Sequence, residues 1–215
     1  MLIALTGKKG AGKDTAGAFL VRELGFQRLS FADALKQSAA ACFGGVIIKD
    51  DWDQWKNDPE VKVVIEDGRS PSRHIAEVTV RQFLQFYGTE AHRDIWGPDF
   101  WVDTLFKDFT PEDFALHAQP HYVITDCRFE SETEAVLKNG GIVVNIVRPE
   151  TDDHSDTHRS ETSVPEEMID YEIYNDSDIT TLERRVFELV NEISTNVPER
   201  LALAIAADRA GDTFA

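Results

Sequence analysis

The sequence predicts an α/β fold, a five-stranded parallel sheet flanked by helices. Two observations lead there. Five short apolar runs of strand length alternate with segments whose apolar residues recur at helical spacing, the pattern of a parallel sheet covered on both faces. A Gly/Lys-rich turn joins the first run to the first helix.

The elements follow in order. Met1 to Thr6 reads as a buried strand ending at Gly7, and the turn Lys8-Lys9-Gly10-Ala11-Gly12 comes next. Ala16, Phe19, Leu20 and Leu24 then mark a helix that Gly25 stops. Phe26 to Phe31 alternates and reads as a second strand. Leu35, Ala39, Cys42 and Phe43 repeat the helical period until Gly44-Gly45. From about Ile47 to Thr79 the character changes: Trp52 and Trp55 sit in a mixed-charge stretch, and Val61–Ile65 followed by Glu66-Asp67-Gly68 signals a hairpin. Val80, Phe83, Leu84 and Tyr87 make a helix with Thr79 as N-cap and Gly88 as stop. Regular alternation then returns. Tyr122–Thr125 is a strand ending in Asp126, Glu130–Lys138 a helix stopped by Gly140-Gly141, and Ile142–Val147 a β-branched strand. A polar loop runs from Pro149 to Ser163, Tyr171–Tyr174 is the last strand, and Leu182 to Ile193 is an amphipathic helix. Pro198 opens a final Ala-rich helix with a loose end near Gly211.

A chain of 215 residues fits one such domain with an insertion. Its 22 Lys and Arg stand against 39 Asp and Glu, a net charge of −17, which repels nucleic-acid backbones. An anionic ligand must then be held by a few local cations. No apolar run approaches the ~20 residues of a membrane span, and the N-terminal apolar stretch has neither the length nor the basic leader of a signal peptide. Cys42 and Cys127 lie far apart with no metal-type spacing. These features point to a soluble protein of a reducing compartment, the cytoplasm.

Gly7-Lys8-Lys9-Gly10-Ala11-Gly12-Lys13 follows a strand and opens a helix, the context of a Walker A loop. Glycines let consecutive N–H groups converge on one point, and the helix N-terminus adds its partial positive charge. Gly10, Ala11, Gly12, Lys13, Asp14 and Thr15 are therefore expected to bind the phosphates of a nucleoside triphosphate, ATP. Lys13 would meet the β- and γ-phosphates. The hydroxyl that usually follows this lysine is displaced by one: Asp14 stands there, and Thr15 comes next.

Such loops serve switches, motors and kinases alike. No Asn-Lys-x-Asp motif reads a guanine, and no basic surface suits a nucleic-acid motor. A small-molecule kinase remains. Arg81 and Gln85, four apart on one helix, project from one face, where an arginine could grip a phosphate and a glutamine read a base edge. The same spacing also fits an exposed polar face. Asp126 ends a strand as a Walker B carboxylate would, placed to hold Mg2+ through water, with Arg128 two residues on. The similar Val63–Asp67 is better explained as a hairpin turn. Arg148 follows the fourth strand, and the polar loop after it carries His158-Arg159-Ser160-Glu161, able to close over phosphates or simply to be solvated.

Several segments in order resemble the deoxynucleoside monophosphate kinases of tailed bacteriophages: Gly12–Thr15, Ser30–Lys36, Arg81–Thr89, Asp99–Val102, Thr125–Phe129 with Glu132, His158–Glu161 and Asn175-Asp176. The resemblance spans roughly residues 1 to 193. It implies a P-loop kinase with a core at 1–46 and 120–197, an inserted acceptor-binding region at about 47–119 and a lid loop at about 148–163, with the C-terminal tail at 198–215 outside the match. It also implies ATP and a dNMP as the small-molecule partners, Mg2+ as cofactor, and a host cytoplasm if the gene is phage-borne. Asn175 joins the ATP site by this match, with Thr15 and Asp126 toward the metal. The acceptor side takes Asp33, Lys36, Arg81, Gln85, Gly88, Thr89, Trp101, Arg128 and Glu132. Lys13, Arg81, Asp126, Arg128 and the lid's Arg159 would carry catalysis. Trp101 could wall in the sugar and base, or be a core tryptophan. Two alternatives stay open: a kinase of a hydroxyl-bearing metabolite, dephospho-coenzyme A-like, with Asp33 as base, and a nucleotide-binding module without turnover. The inserted lobe or the final helix could form a homodimer interface.

Overall fold

The computed structural model describes residues 1–43, 47–66, 75–115, 118–149 and 164–196. In chain order its first elements are β1 (Leu2–Thr6), α1 (Lys13–Leu24), β2 (Gln27–Leu29), α2 (Phe31–Ala41), α3 (Lys49–Trp55), β3 (Lys62–Glu66), β4 (Ile75–Thr79) and α4 (Val80–Gly88). A π-helical turn, Thr89–Arg93, leads into α5 (Asp94–Trp96) and α6 (Phe100–Phe106). Then come β5 (Tyr122–Ile124), α7 (Glu130–Lys138), β6 (Ile142–Val147), β7 (Tyr171–Tyr174) and α8 (Ile179–Asn196). The chain divides into two compact units, one formed by Met1–Ser30 with Phe106–Ala215, the other by Phe31–Leu105.

The first unit carries the five-stranded sheet that the sequence predicts, in the order β2-β5-β1-β6-β7 with every pair parallel. The crossover through α1 leads from β1 toward one edge, and the crossover through α7 leads from β5 back past β1. Right-handed crossovers in opposite directions place their helices on opposite faces. β1 is buried on all five residues, as a central strand between two helical layers must be. Ala16 and Leu20 of α1, Leu182, Val186 and Ile193 of α8, and Ile3, Leu5, Val144 and Ile146 of the sheet form one core cluster. Burying these side chains at ~25 cal/mol per Å² of apolar surface is what holds α8, whose other face is charged, on the sheet.

β2 is shorter than the sequence predicts. Its edge has only Tyr122–Ile124 to pair against, so the strand stops at Leu29 and Phe31 already opens α2.

The second unit contains the expected hairpin, β3 and β4, paired antiparallel from Lys62↔Thr79 to Glu66↔Ile75. The turn signalled at Asp67-Gly68 lies outside the described residues. Trp52 is fully buried among Ala39, Ala40, Val63 and Val80, with Phe83 stacked on it at 5.7 Å. Its indole N–H donates to the Lys36 carbonyl at 3.0 Å, which joins α3 to α2. Thr79 caps α4 as expected: its hydroxyl accepts from the Gln82 N–H at 3.2 Å, and Gln82 Oε1 accepts from the Thr79 N–H at 2.9 Å.

Gly88 does not stop this helix. It takes the helical angles φ −76° and ψ −36°, and the chain runs on through the π turn and α5 to Gly97 at φ 110°. The sequence also leaves α3 and α6 unread, because helices of seven residues show too few periods to be told from a mixed-charge loop. The Ala-rich helix expected from Pro198 and nearly all of the lid loop, from Glu150 to Ser163, lie outside the described residues.

Candidate functional site

In the first unit the phosphate loop hangs from the end of β1. Gly12 takes φ 110°, and a Cβ there would stand 2.7 Å from Asn175 Nδ2, so only glycine fits the turn. Asn175 is what crowds it. Its backbone N–H donates to Val147 at 2.7 Å, and its side chain donates to the Ala11 carbonyl at 2.8 Å. The residue matched to the ATP site thus ties the end of β6 to the phosphate loop. Gly10 is exposed, Ala11 buried, and Asp14 and Thr15 open α1 behind them. Lys13 is only 9% exposed, and its ammonium donates to the carbonyls of Gly7 and of Lys8, the latter at 2.8 Å. The cation is therefore fixed against the loop backbone instead of trailing into solvent. A helix N-terminus, a glycine-rich turn and a lysine in one place are the parts from which anion sites are built.

Beyond β5 stands Asp126, whose Oδ2 accepts from the Ser30 hydroxyl at 2.8 Å. The register of β2 on β5 pairs Leu29 with Ile124 and so delivers Ser30 to the carboxylate. Beside it, Arg28 Nε donates to Thr125 Oγ1 at 3.3 Å. The sequence left Arg28 unread and marked Ser30 only as the first residue of the matched segment Ser30–Lys36, with no role of its own. Serine and arginine carry no motif of their own here, and only the strand register brings them to this edge.

Arg128 follows, and its backbone is held by Glu132. The Glu132 carboxylate, 2% exposed, accepts from the N–H groups of Arg128 at 2.8 Å and Phe129 at 3.1 Å. It bonds the N-terminal turn of α7 and fixes the loop that carries Arg128. Cys127, between Asp126 and Arg128 in the chain, is fully buried. Burial first, then the nearby Glu132 charge, pushes its thiol well above the ordinary range, so it stays a neutral thiol. Arg148 is exposed just past β6, and Arg159 falls outside the described residues.

Thr15 and Asp126 are hard oxygen donors of the class magnesium takes, and a carboxylate oriented by a hydroxyl suits that use. Among the described residues no cluster of three His, Cys, Asp or Glu forms a ready-made metal cage.

In the second unit the matched residues fall into two groups. Asp33 and Lys36 belong to a charge network: Lys49 donates to Asp33 at 3.0 Å, Lys36 stands 3.8 Å from Asp33, and both Lys36 and Lys56 reach Asp53 at 2.8 Å. Lys36 is 6% exposed, so the two carboxylates are what make its burial tolerable. Burial works to raise the Asp53 carboxyl, but Lys36 and Lys56 outweigh it and hold it below its ordinary range.

Arg81, Gln85, Gly88 and Thr89 lie along α4 and its π extension. Arg81 is exposed and donates to Asn57 Oδ1 at 2.7 Å, while Gln85 is half-buried. Gly88 is pressed so closely to α2 that a Cβ would lie 2.2 Å from Leu35 Cδ1. Trp101 is 1% exposed, donates to the Gly88 carbonyl at 2.9 Å and packs on Phe100, His92 and Tyr87. As the chain stands, Trp101 is a core residue that braces Gly88.

Comparison with known proteins agrees with this chemistry. A family model for deoxynucleotide monophosphate kinase matches residues 59–186, more than half of the chain. A protein of Acanthamoeba polyphaga mimivirus, named provisionally as a deoxynucleotide monophosphate kinase, is 32% identical over 172 residues, 76% of this chain and 82% of its own. The uncharacterised ORF77 protein of Ictalurid herpesvirus 1 is 29% identical over 187 residues, 86% of this chain and 68% of its own. The deoxynucleotide monophosphate kinase of phage T4 is 28% identical over 104 residues, 48% of this chain and 42% of that enzyme. A solved dephospho-CoA kinase from Campylobacter jejuni, 14% identical with a TM-score of 0.48 over 90% of this chain and 97% of its own, is too distant to bear on the acceptor. On the family model and the mimivirus relative, the chain belongs to the deoxynucleotide monophosphate kinase family.

Proposed function

We propose that this chain transfers the γ-phosphoryl group of ATP to the 5′-phosphate of a deoxynucleoside monophosphate, giving ADP and a dNDP for dNTP supply. The observation that carries the reading is a phosphate loop with its lysine held against the backbone in a chain whose family phosphorylates such acceptors.

The acceptor's nucleophile is a phosphate oxygen. A phosphate monoester has its second pKa near ~6, so that oxygen is already anionic at neutral pH and no general base is needed. Catalysis then reduces to in-line positioning and neutralisation of charge on the transferring group. Lys13 and the amides of Gly10, Ala11 and Gly12 would hold the donor, with Asn175 keeping the loop in shape. Thr15 and Asp126 would hold Mg2+ through water, and the ion when bound neutralises charge on the donor phosphates. Arg81 and Arg128 would grip the acceptor phosphate, and Arg159 would add charge from the lid. Gln85 and Thr89 would face the nucleoside. Glu132 and Trp101 would act through the Arg128 loop and Gly88, which they brace.

The test is a coupled ADP-release assay with ATP and magnesium against the four dNMPs and the matching ribonucleotides. Turnover with at least one deoxy acceptor is expected, reduced on the order of 10²–10³-fold in Lys13→Met, the cost of one preorganised charge contact. Silence with every monophosphate, from protein that binds ATP, would overturn the reading.

A further inference from the structure

We propose that His92 is a positioning residue for the acceptor nucleotide, acting through the switch from α- to π-helix at Gly88 and Thr89. The proposal rests on the kinase reading above and names a feature of this chain that shapes the acceptor face.

The helix that begins at Val80 does not end at Gly88 but widens into the π turn Thr89–Arg93, where the Asp94 N–H reaches back five residues to the Thr89 carbonyl. Single π turns inside helices are uncommon and collect at functional sites, because the widened backbone needs outside partners to persist. Both partners are present. At the last two residues of α4, the Tyr87 carbonyl lies 2.5 Å from His92 Nδ1, and the Gly88 carbonyl accepts from the Trp101 indole N–H at 2.9 Å. A carbonyl can only accept, so His92 Nδ1 carries the proton. The imidazole packs against Tyr87 at 4.4 Å, with Phe100 and Trp101 both at 5.0 Å, so its orientation is set by rings. Leu35 packs so closely on Gly88 that no side chain would fit at the residue where the helix begins to widen.

Arg81, Gln85 and Thr89 are spaced i, i+4, i+8, one row along the helix, and the π turn starts at the last member of that row. Holding the Tyr87 carbonyl therefore sets where the row ends and how Thr89 is presented. Thr89 keeps an α-type bond from its own N–H to the Gln85 carbonyl, but its φ of −98° and ψ of −72° are drawn away from helical values. Without the His92 donor the turn is free to tighten to α, which returns Thr89 toward helical angles, turns its side chain and shifts the residues after it by about one position. His92 touches no reacting atom in this account. It acts through the backbone.

The experiment compares His92→Phe, which keeps the ring packing and removes the donor, with His92→Asn, which keeps a donor near the Nδ1 position. Steady-state KM for dNMP and for ATP is measured, together with dNMP affinity by calorimetry and the melting temperature. His92→Phe is expected to raise the dNMP KM and Kd roughly five- to tenfold, as losing one hydrogen bond does, with the ATP KM within about twofold of wild type. His92→Asn is expected to recover most of that loss. An unchanged dNMP KM and Kd in His92→Phe, or an equal rise in both substrates' KM in both variants, overturns the proposal. If His92→Phe does not fold, His92→Gln takes its place, its donor misplaced by one bond, and wild-type dNMP affinity in that variant overturns the proposal. A wild-type protein that binds dNMP without turning it over would instead count against the kinase reading alone, because calorimetry still reads the His92 effect.

Discussion

The Ser30 hydroxyl donates to Asp126 Oδ2 across a gap of 96 residues in sequence and 2.8 Å in space. Ser30 is 2% exposed and Asp126 half-buried, so the hydroxyl comes from the protein interior and holds one carboxylate oxygen in a fixed direction. The other oxygen is then aimed by default.

If Asp126 serves the metal, Ser30→Ala loosens its aim without touching the phosphate loop. The magnesium concentration for half-maximal rate is expected to rise about 10-fold, the lower range for removing a hydrogen-bond partner behind a metal ligand. A titration of initial rate against Mg2+ at fixed ATP checks it. A rise in the dNMP KM with no change in the Mg2+ dependence would place Ser30 elsewhere in the reaction.

Asp33 separates two kinds of acceptor. A hydroxyl acceptor requires a carboxylate base, whereas a phosphate acceptor does not. Asp33 is engaged by Lys49 at 3.0 Å and has Lys36 at 3.8 Å, surroundings that hold a carboxylate as an ion-pair partner. Asp33→Asn is expected to keep kcat with dNMP within about 10-fold, well short of the loss expected for a missing base. Loss of turnover in a variant that still binds both nucleotides would revive a base at this position.

Asp53 gives the second unit an acid limb. Its folded carboxyl is depressed by Lys36 and Lys56, so its contribution to stability is present above the ordinary carboxylate value of 3.8 and is lost as pH falls below it. Thermal unfolding followed downward from pH 5 through 3.8 and below should show this loss, and Asp53→Asn should flatten that part of the curve. An identical pH profile in the variant would mean the pairing contributes nothing to stability.

The two cysteines should differ sharply. Cys42 is exposed, while Cys127 is buried with its thiol pushed up. A thiolate-seeking reagent such as DTNB should modify one thiol in the native protein and two after unfolding. Two fast thiols in the folded state would mean that the strand end carrying Asp126 opens readily.

Much of the molecule was legible because its signals are local. The β1 strand is a run of apolar residues, the phosphate loop is a glycine spacing, and α8 is a long amphipathic period that nothing else imitates. Thr79 could be read as a cap because a capping box is closed within four residues. Gly88 misled for the same reason. A glycine after an apolar period is a local stop signal, but here it is the lack of a side chain under Leu35 that matters, and the helix runs on to Gly97. The small helices α3 and α6 escaped because seven residues show too few periods, and what holds them, the indole bonds of Trp52 to Lys36 and of Trp101 to Gly88, leaves no periodic trace in the chain.

The sequence by itself determined the sheet's five strands, the phosphate loop and the residue types able to carry phosphoryl transfer, since hydrophobic period, glycine spacing and charge are properties of neighbouring residues. Only the tertiary structure decided that Ser30 aims Asp126, that Lys36 lies buried between two carboxylates, and that a histidine and a tryptophan hold a π turn on the acceptor helix. Each of these is a hydrogen bond or ion pair whose partners are set by strand register and helix packing, and no local pattern in the chain announces them.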